Sequence, residues 1–224
     1  MRKIKFNNSE FYHVYNRGVD KRMITMCQDD SNRFVQGLIE FNRIAPIGSI
    51  YLKSFHNKKT PENQLRFREP KLVHIVAYCL NPNHFHLILE QLVDGGISEF
   101  MRRVGGGYAN YFNEKYKRSG SLFEGRFKAK HIDKDNYFLH SSCYVNLNNK
   151  VHQISGPDSE LVRSSWNEYM GKVAEGDKIC KTDAILGQFS GVEDYKIFAE
   201  DTLVRMIEKK KEDKEIQKIL MEED

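Results

Sequence analysis

Two imidazoles stand two residues apart in the run Asn81-Pro-Asn-His-Phe-His-Leu-Ile-Leu-Glu90. If this run is extended, His84 and His86 leave the same face of the strand, while Phe85, Leu87 and Leu89 turn to the other and can be buried. That is the geometry of a two-point metal clamp. A pair of solvated strand histidines would have the same spacing, so the tripeptide alone leaves both readings open. Glu90 shares the face, but at about 3.3 Å per residue it lies ~13 Å beyond His86, so a third ligand has to come from another element.

A second constellation is Tyr144-Val-Asn-Leu-Asn148. On a helix, i and i+4 spacing sets the phenol and the amide on one face, one turn apart, with His140 and Ser141 on the same stripe. A third lies between Arg102 and Lys130, where eight basic residues face two acidic ones (Glu114 and Glu124) and Tyr108, Tyr111, Phe112, Tyr116, Phe123 and Phe127 are interleaved. Such a segment can neutralise phosphates and stack on unpaired bases. It can equally be a solvated helix face with ordinary core aromatics.

The elements that must position these groups follow from pattern. The run Leu72–Leu80 is almost continuously apolar, as suits a central strand covered on both faces, and Asn81-Pro82-Asn83 is a turn, giving a hairpin over 72–91. Phe11–Gly18 has the aromatic and β-branched content of a first strand. Asp29 or Asp30 can cap a helix through about Arg43, with Phe34, Leu38 and Phe41 along one face. Residues 44–71 have no clean period and read as a long surface excursion, with a short strand at Ile50-Tyr-Leu. Ser98 caps a helix from about Glu99 to Lys117, bent near Gly105-Gly-Gly107. Phe127–Ile132 alternates as a last strand, and Asp133 or Asp135 caps a helix through Asn148.

This order predicts an α+β fold, a ferredoxin-like βαββαβ antiparallel sheet with helices on its faces. Residues 1–150 make up that domain and 151–224 a helical extension with a charged tail, its candidate helices being Ser165–Tyr169, Thr182–Phe189 and Val192–Lys211. A helix over the histidine-bearing face could bring Tyr144 and Asn148 to the ion.

With 224 residues the chain can bury a real core. The net charge of +4 is uneven, since residues 193–224 hold 11 acids against 7 bases. No window nears the ~18 apolar residues of a membrane span, and Met1–Phe6 lacks a signal peptide's apolar stretch, so a cytoplasmic address is expected. Cys27, Cys79, Cys143 and Cys180 are too far apart for a zinc knuckle or a disulfide framework, and are expected as thiols, most of them buried.

Taken together, Phe11–Gly18, Asn81–Leu87, Gly107-Tyr-Ala-Asn-Tyr-Phe-Asn113, Leu122-Phe-Glu-Gly-Arg-Phe-Lys128 and Tyr144–Asn148 resemble, in order, the blocks of HUH single-strand transposases of the Y1 tyrosine class (IS200-like), closest to those associated with repetitive extragenic palindromes (REP). Ser164-Ser-Trp-Asn-Glu-Tyr-Met-Gly171 and Ile185–Phe189 resemble C-terminal blocks of that group, so the likeness covers about residues 8–200. It implies that His84 and His86, with Asn148, hold a divalent ion (Mg²⁺ or Mn²⁺) and that Tyr144 is the nucleophile. The activity implied is cleavage and rejoining of hairpin-associated single-stranded DNA through a 5′-phosphotyrosine. Phe123 stands where an indole is common, and the 44–71 excursion is longer than in compact members. Asn16, Arg17, Arg102, Arg103, Arg126, Lys128 and Lys130 are the expected DNA contacts, and the chain acts as a monomer or homodimer. Two alternatives remain: a non-catalytic hairpin-binding protein that kept the fold, and a metal phosphodiesterase using activated water. Tyr108 and Tyr111 are rival nucleophiles, ranked below Tyr144 because neither has Asn or Gln four residues on.

Overall fold

The computed structural model describes residues 4–48, 50 and 69–222, with 214–222 by backbone alone. Five strands form one sheet: β1 (Phe11–Arg17), β2 (Val73–Leu80), β3 (His84–Gln91), β4 (Lys128–Ile132) and the two-residue β5 (Arg163–Ser164). Their order is β4-β1-β3-β2-β5 and every neighbouring pair is antiparallel. The first four strands are the predicted ferredoxin-like sheet. β5, beyond the predicted set, extends its β2 edge.

Alternation along the strands sorts side chains into two layers. Phe85, Leu87 and Leu89 of β3, with Tyr12 and Val14 of β1, face the helices α1 (Gln28–Glu40) and α2 (Gly96–Lys115). On the opposite face Ile88, Val76 and Cys79 pack with α3 (Asp135–Asn146) and with Tyr169, Ile185, Tyr195 and Ala199 from beyond residue 151. A shift in β2–β3 register between Ile75 and Ala77 reverses the parity of β2, so Val73 and Ile75 join Tyr78 and Leu80 on the α1/α2 side. Residues after α3 form α4 (Asn148–Val151), α5 (Trp166–Tyr169), α6 (Asp183–Leu186) and the long α7 (Val192–Glu222). All four cysteines are free, and Cys79, Cys143 and Cys180 are buried.

Several local expectations are corrected. The α2 helix starts at Gly96, not Glu99, behind a left-handed Gly95 with no side-chain cap, so Ser98 lies inside its first turn. The chain must turn sharply there against β2, since a Cβ on Gly96 would stand 2.4 Å from the Leu72 carbonyl oxygen. The helix then runs unbroken through its three glycines, held by Phe100, Met101, Val104, Tyr108 and Phe112 in the core. Each interior glycine costs such a helix about 0.5–1 kcal/mol against alanine. Gly107 has a packing reason, because its Cβ would stand 2.8 Å from the Phe41 ring; over Gly105 and Gly106 the space is open. The helix expected through Asn148 closes at Asn146, and Leu147 (φ −112°, ψ 19°) joins it to the next turn. The short strand expected at residues 50–52 lies, apart from the buried Ile50, outside the described residues.

The first helix is capped from its third position. Cys27 is the N-cap, and Asp30 accepts the backbone N–H groups of Met26 (2.8 Å) and Cys27 (3.3 Å). Asp30 also takes the Lys115 ammonium at 2.6 Å and the hydroxyls of Tyr116 (2.7 Å) and Tyr111 (3.0 Å), tying α1 to α2. Burial alone would raise this carboxyl; Lys115, Tyr116 and the other donors outweigh it and hold it below its ordinary value. A depressed carboxylate stabilises the fold above its unfolded pKa, and that contribution is lost as pH falls through the folded value. Asp30→Ala, which leaves Lys115 without its partner, is expected to cost about 3–5 kcal/mol in urea unfolding at pH 7. The cost should shrink in a titration below about pH 4, near the unfolded carboxylate pKa.

Candidate active site

His84 and His86 open β3 on the sheet face opposite α1 and α2, and α3 crosses that face. The Tyr144 ring lies edge-on to His86, with centroids 5.3 Å apart at 81°. His84 and His86 are themselves 5.3 Å apart and nearly perpendicular. Asn148, fully buried at the start of α4, brings its Oδ1 to 2.9 Å from His84 Nε2. The four side chains singled out at a distance of sixty residues in sequence are thus neighbours in space.

The hydrogen bonds define what these groups can do. Asn83 Oδ1 lies 2.6 Å from His84 Nδ1 and can only accept, so Nδ1 carries the proton and a neutral His84 presents its Nε2 lone pair. That lone pair and the Asn148 carbonyl oxygen both face the Nδ2–H₂ of Asn81, at 2.9 and 2.7 Å. Two acceptors converge where a positively polarised group already stands. Burial lowers His84, against the Asn148 hydrogen bond, and drives His86 well below its ordinary value, with the neighbouring imidazoles adding to the effect. Both are neutral at pH 7, as ligation requires. This donor set of imidazole nitrogens and an amide oxygen fits a divalent cation of the Mn²⁺ or Mg²⁺ type. Among the described residues no three His, Cys, Asp or Glu side chains gather as a metal centre, so a site here depends on the amide.

His13 is a residue that sequence reasoning missed. Its Nε2 lies 2.8 Å from His86 Nδ1, the rings stack 5.0 Å apart, and burial with the charge of Lys130 lowers it to about 4. Tyr15 also stacks on His86, with centroids 5.6 Å apart, and lies 5.2 Å from the His13 ring, so the three rings form one cluster. The signal was present, since His13 and Tyr15 alternate on β1 as the histidines do on β3. His152, one turn beyond Asn148 and 4.8 Å ring to ring from His84, was missed as well. Lys210 of α7 reaches its Nδ1 at 2.9 Å and so brings the C-terminal helix to the rim.

Tyr144 lines a cavity of about 360 Å³ with His84, His86 and His152, at whose mouth stand Arg17, Lys21 and Lys128. Burial holds the phenol above its ordinary value, opposed by the Asn148 amide beside it. Asn148 Nδ2 is buried without a hydrogen-bond partner among the described residues.

The expected DNA contacts are divided by the sheet. Arg17, ion-paired to Glu124 at 2.6 Å, and Lys128 belong to this cavity, and Lys130 on the same strand face lies 4.4 Å over the Tyr137 ring. Arg102 and Arg126 line a separate cavity on the α2 side. Asn16 lies between the two, donating to the Gly125 carbonyl at 3.0 Å. Arg103 is absorbed by the fold: it donates to Glu99 at 2.7 Å and to the carbonyls of Arg43 (2.6 Å) and Ile44 (3.2 Å). The rival tyrosines are on the far side of the sheet. Tyr108 is buried and its hydroxyl donates to the Ile24 carbonyl at 2.5 Å, while Tyr111 donates to Asp30.

The stretch that carries the sheet-borne histidine pair and the helical tyrosine is also the one that sequence comparison matches. Residues 65–148 match the family described as "Transposase IS200 like", a stretch that holds the histidines, the tyrosine and Asn148. Over that stretch the chain is similar to the Y1 transposase family. A solved structure of a REP-associated tyrosine transposase bound to a REP hairpin is 13% identical with a TM-score of 0.48, over 81% of this chain and 92% of that one. No curated protein matches. Among the described residues no helix is long and apolar enough to cross a membrane.

Proposed function

We propose that this chain is a cytoplasmic single-strand DNA transferase that cleaves and rejoins hairpin-associated DNA through Tyr144. The observation that carries the reading is the meeting of the Tyr144 phenol with His84, His86 and Asn148 in one cavity whose mouth is basic. Arg17 and Lys128 would receive the backbone of the incoming strand. Tyr144 Oη, on losing its proton, attacks the scissile phosphorus, and the 3′-oxygen leaves as a free hydroxyl. A phenol with an ordinary pKa of about 10 is a far better leaving group than an alkoxide, so a 3′-hydroxyl can later displace it and the phosphodiester is rejoined without ATP.

A divalent cation held by His84 Nε2, His86 and Asn148 Oδ1 would polarise a non-bridging phosphate oxygen. His86 would present its Nε2 when its Nδ1–H is donated to His13, and Asn83 orients His84 in the same manner. His13→Ala is therefore expected to weaken Mn²⁺ binding about 10- to 100-fold, measured as free Mn²⁺ by electron paramagnetic resonance. His13→Gln, which keeps an acceptor, should recover part of the loss. Equal weakening in both variants would count against the orienting role.

A denaturing gel with an end-labelled hairpin oligonucleotide bearing a single-stranded flank tests the function. A covalent adduct supports transesterification. Cleavage without adduct would indicate activated water, and binding without cleavage a hairpin-binding protein.

A further inference from the structure

Asn81 follows directly on β2 and is fully buried, and the reaction proposed above gives its side chain no role. Its amide nitrogen stands 2.9 Å from His84 Nε2 and 2.7 Å from Asn148 Oδ1, and those two atoms are themselves 2.9 Å apart. Three side-chain atoms, from the hairpin turn, β3 and α4, thus form a nearly equilateral triangle. A cation of the Mg²⁺ or Mn²⁺ type holds its ligands octahedrally at about 2.1 Å, which sets neighbouring ligands about 3.0 Å apart. The triangle has the dimensions of one face of such an octahedron, with a hydrogen-bond donor in one of its three corners.

That donor has to give way when a cation arrives. An imidazole nitrogen has one lone pair in the ring plane, and the Asn81 N–H occupies the one on His84 Nε2. A cation taking that lone pair together with the Asn148 oxygen would face the hydrogens of the Asn81 amide, which repel it. Asn81 has little room to withdraw. Its backbone N–H donates to the His84 carbonyl at 2.8 Å, and the adjacent Pro82 carbonyl accepts from Ile24 (2.7 Å) and Thr25 (3.1 Å). A half-turn of the amide about χ2 needs no backbone movement and sets Oδ1 where Nδ2 stood. Cys79 Sγ, 3.6 Å from Oδ1, serves either state: its thiol donates to the oxygen before the turn and accepts from the nitrogen after it. Asn148 also keeps its oxygen towards the triangle although this leaves its Nδ2 buried without a partner among the described residues, at a cost of about 1–3 kcal/mol.

We propose that Asn81 is a further ligand of the cation: its amide turns over on binding, and Oδ1 joins His84 Nε2 and Asn148 Oδ1 as one face of the coordination shell. The inference rests on the proposed cation site and adds a donor to it beside His84, His86 and Asn148.

Mn²⁺ titrated into the full chain without DNA, with free Mn²⁺ read by electron paramagnetic resonance, tests it on variants whose circular dichroism matches the wild type. Asn81→Ala is expected to weaken Mn²⁺ binding by at least about 10-fold, the scale on which even an outer hydrogen-bond partner of a ligand acts. If Asn81 only fills the place of the cation, removing its N–H groups leaves the affinity unchanged or tightens it, so the sign of the change decides. Asn81→Asp keeps the shape and carries oxygen at both ends. It should bind Mn²⁺ more tightly than the wild type, through added ligand charge, and it decides the matter alone if Asn81→Ala does not fold. Unchanged or tighter binding by Asn81→Ala, or no gain in Asn81→Asp, overturns the inference and leaves the site of His84, His86 and Asn148 standing. If the wild-type chain binds no Mn²⁺, the proposed cation site fails and takes the inference with it.

Discussion

Tyr144→Phe abolishes the covalent protein–DNA adduct, a loss of at least about 10³-fold in cleavage rate, while hairpin affinity changes little. The variant removes one oxygen and keeps the ring that packs edge-on to His86 and 6.0 Å from His13. Folding and the cavity wall are therefore retained and the nucleophile alone is lost. The companion variant Tyr111→Phe should form adduct at the wild-type rate, because that hydroxyl serves Asp30 across the sheet. Adduct from Tyr144→Phe with none from Tyr111→Phe, read on the same denaturing gel, would transfer the role to Tyr111 and overturn the mechanism.

The second large effect concerns the imidazole pair. His84→Ala removes the nitrogen that faces Asn148 Oδ1 and Asn81 Nδ2, and His86→Ala removes the partner of His13. Each is expected to lower cation-dependent cleavage by about 10²-fold or more, since several kcal/mol of phosphate charge stabilisation are lost. Mn²⁺ titrated into the apoprotein and followed by electron paramagnetic resonance should show the matching loss of binding. His152→Ala is the control, for its ring borders the cavity and tilts over His84 at 4.8 Å but is not among the three proposed ligands. Cleavage by His84→Ala at the wild-type rate would show that the pair has only a packing role.

The basic and aromatic stretch from Arg102 to Lys130 shows where sequence and structure part. One reading made it a single surface for stacking on bases. Tyr108 and Phe112 are each only 3% exposed and belong to the core, and Tyr111 and Tyr116 bond Asp30. Phe127 is half-buried on the α2 side of the sheet and stacks on Phe6, with centroids 6.3 Å apart. Helical periodicity cannot tell an aromatic that faces a neighbouring helix from one that faces a ligand. Charge was equally ambiguous: Arg102 and Arg103 are adjacent in sequence and both bond Glu99, yet only Arg103 also donates to the carbonyls of Arg43 and Ile44 and so pins α2 to the segment after α1.

The chain's local grammar was legible. Period-two alternation placed His84 and His86 on one face and Phe85, Leu87 and Leu89 on the other, and the Asn81-Pro82-Asn83 turn fixed the hairpin. The order of elements then specified the antiparallel sheet, because each of these is decided by neighbours within a few residues. What only the tertiary structure decided is which distant groups share a cavity. The break at Leu147, the docking of His13 against His86, the approach of His152 and Lys210, and the division of the cations between two faces all depend on contacts formed across the sheet. Those contacts are set by the packing of whole layers, a property that no local spacing encodes.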